Sequence, residues 1–297
     1  MIRHSRLLGG AVGSFAMLVQ RRAHDVAAEI FLRTVDPDSR TAAAWRAFAA
    51  KRALARTRPS KTDAPVVLLA VYRAKYAELL DLLLCQCPAQ TDVRLWALDE
   101  IPEHLAPSTV GSGRGSKFEL IRRLASGREI PKDSWVVVAD DDVFLSRGSV
   151  TKLLERCKAG GIDIGQPAHS LASFRNHLIT VMRPWSAWRR TGFVEIGPLF
   201  VVAPGRFETV IPPDTDGMGW GLEFYWHSLI RDGVRLGIVD TCHIMHCGPT
   251  GADYSMEAAL SELMRRYPGR GLEDLSEVKQ CYETVPRWRL LARHGGA

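Results

Sequence analysis

The chain has 297 residues and a single asparagine, Asn176, whose Asn-His-Leu context is no N-glycosylation sequon. Six cysteines do not make a disulfide scaffold at this length. Cys85 and Cys87 form a C-x-C that lacks zinc-ribbon spacing and has no complementary pair, while Cys157, Cys242, Cys247 and Cys281 are scattered. Free thiols in a reducing, cytoplasmic compartment are therefore expected. No internal repeat is visible. The apolar run Leu7–Val19 is too short and too glycine-rich for a membrane span. It has the outline of a signal peptide, with Arg3 and Arg6 before it and Arg21 and Arg22 after it. No small-x-small cleavage site precedes Arg21, so signal, anchor and docking helix all stay open. Disordered and low-complexity classes are excluded by 46% hydrophobic and 24% charged residues.

What the chain does have is an uneven charge. The net value is +6, but residues 1–61 hold 12 Lys+Arg against 4 Asp+Glu, or +8. The other residues hold 27 against 29, or −2. A nucleic-acid binder should carry its positive charge on the recognition fold, so no nucleic acid is expected as partner. The basic arm suits an anionic membrane surface, which would make the protein peripheral at the inner face of the membrane. A solvated helical extension is the plainer alternative.

Helical spacing appears at His24–Val35 and Ser39–Thr57, followed by a proline-bounded linker from Arg58 to Pro65. Strands are then predicted at Val66–Tyr72, Asp92–Leu98, Ser134–Asp140, Gly161–Gly165, Gly197–Ala203 and Val234–Asp240. Helices are predicted at Lys75–Cys85, Lys117–Ser126, Ser149–Lys158, Trp220–Arg231 and Tyr254–Tyr267. This alternation argues an α/β fold with a mixed, mostly parallel sheet flanked by helices and preceded by a helical extension. The division expected is an extension and linker at 1–63, a catalytic domain at 64–270 and a helical tail at 271–297.

Asp140, Asp141 and Asp142 close the most apolar strand. Adjacent carboxylates repel, and ligands favour the carboxyl ends of buried strands. Alternation puts Asp140 and Asp142 on one side, where two hard oxygens suit Mg²⁺ or Mn²⁺. A solvated acidic turn is the alternative. His243 and His246 leave a later strand as further candidate ligands or as buried structural histidines. Glu223 follows Gly217-Met-Gly-Trp-Gly and starts a helix, where it is either a base or a capping acid. Glu195 precedes a strand as a candidate acid or an edge charge. Gly111–Lys117 lacks both Walker and dinucleotide spacing, yet Arg114 and Lys117 suit a diphosphate. Arg175–Arg190, with Trp185 and Trp188, reads equally as an RNA-binding stretch or as a mobile loop holding an anionic or sugar ligand.

In order, Val-Ala-Asp140-Asp141-Asp142, Gln166-Pro-Ala, Gly192-Phe-Val-Glu195, Gly219-Trp-Gly-Leu-Glu223, Gly237-Ile-Val-Asp240 and His246-x-Gly248 resemble a plant and bacterial family of unknown function related to GT-A glycosyltransferases. The resemblance covers residues 65–255. It implies a GT-A fold, a nucleoside-diphosphate-sugar donor, a hydroxyl acceptor (a glycan, lipid or small molecule) and a divalent metal. Asp140 and Asp142 match the ends of a DxD element, His246 matches a late metal-binding histidine, and Glu223 matches the acceptor base. Asp140, Asp141, Arg114, Lys117 and Trp220 would then face the donor. Glu223 stands where the family more often has Asp. A metal-dependent nucleotidyltransferase or phosphodiesterase, and a non-catalytic protein on a degenerate transferase fold, remain the rival readings.

Overall fold

The structure, a computed structural model, describes residues 40–56, 62, 64–248, 255–271 and 273–292. The run Leu7–Val19 and the helix expected at His24–Val35 lie outside them. Of the basic arm, the described part is essentially helix α1, Arg40–Arg56. Among the described residues no helix is long and apolar enough to cross a membrane.

The fold is a ten-stranded mixed sheet flanked by helices. Its centre is β1 (Val66–Tyr72), parallel to β2 (Asp92–Ala97) on one side and to β4 (Trp135–Ala139) on the other. A short β3 (Thr109–Ser112) closes that edge next to β2. Both β1 and β4 are continuous apolar runs because both of their faces are covered. Val66, Leu68, Ala70 and Tyr72 enter one core cluster, and Val67 and Leu69 enter the other. In β4, Val137 and Val138 divide the same way. This follows from the two-residue period of an extended chain. Each such side chain contributes about 1.5–3 kcal/mol by burial.

The first face is covered by α2 (Ala77–Leu84), through Leu80 and Leu83, and by α4 (Val150–Gly160), through Leu153, Leu154 and Cys157. The second is covered by α3 (Lys117–Ser126), through Phe118, Ile121 and Leu124. The Ser149 hydroxyl caps α4 by accepting from the Lys152 amide at 3.2 Å. Helix α1 packs Ala49 and Ala53 on Phe144 and Met245.

Beyond β4 the pairing changes. β8 (Leu199–Val202) runs antiparallel between β4 and β6 (Ile164–His169). β9 (Leu236–His246) then pairs parallel with β6 and antiparallel with β5 (Val143–Arg147) and β7 (Ser186–Thr191). The outer side of β5 is completed by Gln86, whose amide donates to Leu145 O at 2.7 Å while its carbonyl accepts from Leu145 N at 2.8 Å.

Four expectations change here. The strand expected to end at Asp240 continues to His246, so His243 and His246 sit on β9 and not on a loop. The helix expected over Trp220–Arg231 is shorter. Its α-helical part, α6 at Leu222–Ser228, passes into a 3₁₀ turn at Leu229–Asp232. The stretch around Arg189, expected as a mobile loop, is strand β7, with Trp188 and Arg189 buried. The tail at 271–297, expected to be helical, holds strand β10 (Cys281–Pro286) between short helices Leu275–Val278 and Trp288–Ala292. β10 completes the sheet by pairing with β7, which supplies the hydrogen bonds that a lone strand lacks.

Arg189 is buried because Asp240 meets it. Both side chains are fully buried, with Arg189 Nε 2.8 Å and Nη2 2.9 Å from the two Asp240 oxygens. The guanidinium also donates to Ile179 O and Val181 O, and Asp240 Oδ1 accepts the Arg183 amide. Removing one member of a buried pair leaves an uncompensated charge and costs about 3–5 kcal/mol. Asp240→Ala should therefore lower urea-unfolding stability by that amount, and Arg189→Met with Asp240→Leu should cost clearly less. Equal losses in the single and double variants would show that the pair is not the determinant.

Candidate active site

The carboxyl ends of β1, β4 and β9 open into one cavity of about 620 Å³. Asp140, Asp141 and Asp142 line it, as do Lys117, Trp220, Glu223 and His246. Of the residues expected at the site, only Arg114 is elsewhere. It is exposed on the loop that turns outward at Gly113, three residues before α3, whereas Lys117 opens the helix and faces the cavity.

The three aspartates have three different partners. Lys117 Nζ lies 2.6 Å from Asp140 Oδ1 and also donates to Ile196 O at 3.0 Å. Gly197 permits this approach, since a Cβ there would stand 2.8 Å from Asp140 Oδ2. Asp141, expected at the donor, is filled by Arg73. The guanidinium Nε and Nη2 reach its oxygens at 2.8 and 2.7 Å, and the Arg73 amide donates at 2.8 Å. This bidentate pair braces the end of β1 against the end of β4.

Asp142 faces His246, with Oδ1 3.3 Å from Nε2. Backbone register produces this contact. Val143 in β5 lies opposite His246 in β9, and Asp142 O accepts the Cys247 amide at 2.9 Å. Burial alone would raise the Asp142 pKa, but the hydrogen bond and charge of His246 outweigh it and hold the carboxyl below its ordinary value. Burial likewise opposes protonation of His246, and Asp142 overcomes it, so the imidazole is raised. His243 is different. It is buried, contacts Asp240 O through Nε2 at 2.9 Å, and is pushed down to about 3 chiefly by burial. It is a structural histidine.

The donor set was tested for a hard divalent ion. Two carboxylates and an imidazole have suitable chemistry. Ligands about 2.1 Å from a shared ion stand about 3 Å apart, which the Asp142–His246 separation matches. Asp140 is engaged by Lys117, and among the described residues no three His, Cys, Asp or Glu side chains gather around one point. The residues fit such an ion through the Asp142–His246 pair, while Asp140 is paired with Lys117.

Glu223 lies across the cavity in the first turn of α6. The preceding glycines hold it there. Gly219 and Gly221 have φ of 82° and 95°, and a Cβ on Gly219 would run into the Phe118 ring. Glu262 clamps the same loop, accepting the Met218 and Gly219 amides at 2.8 and 3.0 Å. Glu223 accepts the Gly221 amide at 3.2 Å and among the described residues meets no cationic hydrogen-bond partner, so burial pushes its carboxyl up to about 7.

Glu195 behaves in the opposite way. Burial would raise it, but hydrogen bonding to His169, at 3.1 Å, and the surrounding imidazoles bring it below its ordinary value. Arg73, His177 and Lys279 also line the cavity, and none of the three stood out in the sequence. Arg73 directly follows a strand in a pattern any surface arginine shares, and Lys279 comes from a tail with no motif.

No family model matches the chain, and no curated protein matches its sequence. Solved structures do align. GalNAc-T7 with UDP, GalNAc and Mn²⁺ is 12% identical with TM-score 0.49, over 68% of this chain and 47% of that one. S. aureus TarS 1–349 is 10% identical with TM-score 0.43, over 68% and 64%. The same TarS fragment in complex with UDP-GlcNAc is 10% identical with TM-score 0.44, over 68% and 65%. The chain thus spans about half to two thirds of the proteins it is similar to.

Proposed function

We propose that the protein is a metal-dependent glycosyltransferase of GT-A type, moving a sugar from a nucleoside-diphosphate donor to a hydroxyl acceptor. One observation carries the reading: a buried Glu223 raised to about 7 shares a cavity with the Asp140–Asp142 and His246 constellation. The donor diphosphate belongs at the aspartate end, where Lys117 adds a positive charge. Asp142 and His246, with Asp140, would hold Mn²⁺ or Mg²⁺. When bound, that ion supplies Lewis acidity that offsets the charge of the departing diphosphate. Trp220 contributes an aromatic wall for the donor. Glu223 takes the proton of the acceptor hydroxyl as its oxygen attacks the anomeric carbon, which implies inversion. A base is most effective when its pKa lies near the working pH. Because Lys279 lines the cavity and β10 completes the sheet, we place the end of the catalytic unit beyond β10 and not at residue 270.

Asp142→Ala and His246→Ala should each abolish the thermal stabilisation by Mn²⁺ with UDP that the wild type shows. Undiminished stabilisation in both variants would remove the metal assignment.

Glu223 also makes a signed pH prediction. Its folded pKa lies above its unfolded one, so the contribution to stability is complete below about 4.5 and is lost as pH rises toward 7. A rise from 4.5 to about 7 corresponds to about 3 kcal/mol. The stability of Glu223→Gln relative to wild type should improve by about that amount between pH 4 and pH 8 in urea titrations. Transfer by the wild type should increase through pH 7 as Glu223 ionises, and Glu223→Gln should bind UDP but lose transfer. Unchanged turnover in that variant would exclude Glu223 as the base.

A further inference from the structure

Glu195 has no role in the chemistry above, although it lines the same cavity and its side chain is only 9% exposed. It is held from behind. Its amide donates to Gln166 Oε1 at 2.6 Å, and Oε2 pairs with His169 Nε2 at 3.1 Å. His169 Nδ1 is in turn engaged by Ser173 Oγ at 2.8 Å, so the imidazole is fixed at both nitrogens. The other carboxylate oxygen, Oε1, has no hydrogen-bond donor among the described residues. His177 Nε2 stands 4.0 Å away, beyond hydrogen-bonding distance. His177 also lines the cavity, and its Nδ1 is buried without a partner among the described residues. Its ring is held edge-on to Phe193, with centroids 4.8 Å apart. Lys279, over the same Phe193 ring at 5.6 Å, adds one positive charge that Glu195 and Glu223 both feel. Glu195 Oε1 and the His177 ring thus line the cavity together with Glu223, and Nε2 is the imidazole nitrogen beside Oε1, since Nδ1 is closed off.

We propose that Glu195 and His177 form a hydroxyl-binding subsite next to Glu223, so that the acceptor is a polyol with the ring hydroxyls of a sugar. The proposal rests on the transferase reading and names its acceptor class. A carboxylate oxygen accepts a hydroxyl proton and a neutral imidazole either donates or accepts, so the pair matches a diol. His177 is neutral over the ordinary range, because burial lowers it to about 4. One acceptor hydroxyl meets Glu223 and reacts, and a neighbouring one meets Glu195 and sets its orientation. A monohydric alcohol would leave the Glu195 and His177 groups buried and unsatisfied. Sites built to bond a hydroxyl reject ligands lacking it by large factors.

The test uses the full chain with UDP and Mn²⁺ and a panel of methyl pyranosides, with 1-hexanol as the monohydric control. Binding is read by saturation-transfer NMR, and UDP affinity by calorimetry. At least one glycoside should bind, and hexanol should not. Glu195→Gln and His177→Ala should each weaken glycoside binding at least tenfold while UDP affinity stays within twofold. Circular dichroism checks folding, and His177→Ala carries the test if Glu195→Gln misfolds. The proposal is overturned if no glycoside binds the wild type, if hexanol binds equally well, or if the folded variants bind glycosides like wild type. Failure of the transferase reading looks different: UDP would not bind at all, whether or not glycoside binding responds to these substitutions.

Discussion

The buried pair between Arg189 and Asp240 is the constraint on which the site depends. It joins β7 to β9 across a region where hydrophobic contact alone would not fix their relation. Its remaining donors hold Ile179 O and Val181 O, which places the segment that begins at His177. Asp240 also fixes the Arg183 amide, while Arg287, from the tail, donates to Asp240 O at 2.8 Å. One ion pair thus locates the segment that carries His177, the strand that continues to His246 and the tail that follows Lys279. Full burial makes the pair sensitive, since neither charge has water to fall back on.

The cavity is divided by how each carboxylate is satisfied. Asp140 meets Lys117, Asp141 meets Arg73, and Asp142 and Glu195 meet the imidazoles of His246 and His169. Glu223 is more buried than Asp140, and among the described residues it is offered only backbone amides as hydrogen-bond partners. Burial with so little compensation pushes Glu223 up to about 7, while the imidazoles beside Glu195 hold it below its ordinary value. Environments that push two carboxylates apart in this way mark different chemical tasks.

Much of this was legible in the residues. The runs Val66–Tyr72 and Trp135–Ala139 announce central strands because covered faces require unbroken apolar sequence. Asp140, Asp142, Lys117, Trp220, Glu223 and His246 were identifiable, and one cavity contains them all. The failures have a common cause. Arg189 reads as a surface residue until Asp240, 51 positions away, is brought against it, and so β7 was hidden. β10 has mostly exposed side chains, and its strand character comes from pairing with β7, not from its own composition. Arg114 and Lys117 are chemically equivalent in a sequence, and only the start of α3 separates an outward from an inward residue. Asp141 looks like its neighbours until Arg73 arrives from β1.

The two ends of the cavity are also linked, through Ser173. Its hydroxyl accepts the His246 amide at 2.9 Å and contacts His169 Nδ1 at 2.8 Å. The single Ser173 hydroxyl proton has two acceptors within reach, His169 Nδ1 and Phe174 O at 3.2 Å, while His169 Nε2 pairs with Glu195. His246 therefore cannot shift along β9 without disturbing the imidazole that orients Glu195. The β5–β9 register fixes the same residue against Asp142. A one-residue slip in that register would turn His246 to the other face of the strand and break both contacts together. The geometry at the Asp142 end and at the Glu195 end of the cavity is in this sense one property of the sheet, set by where β9 ends.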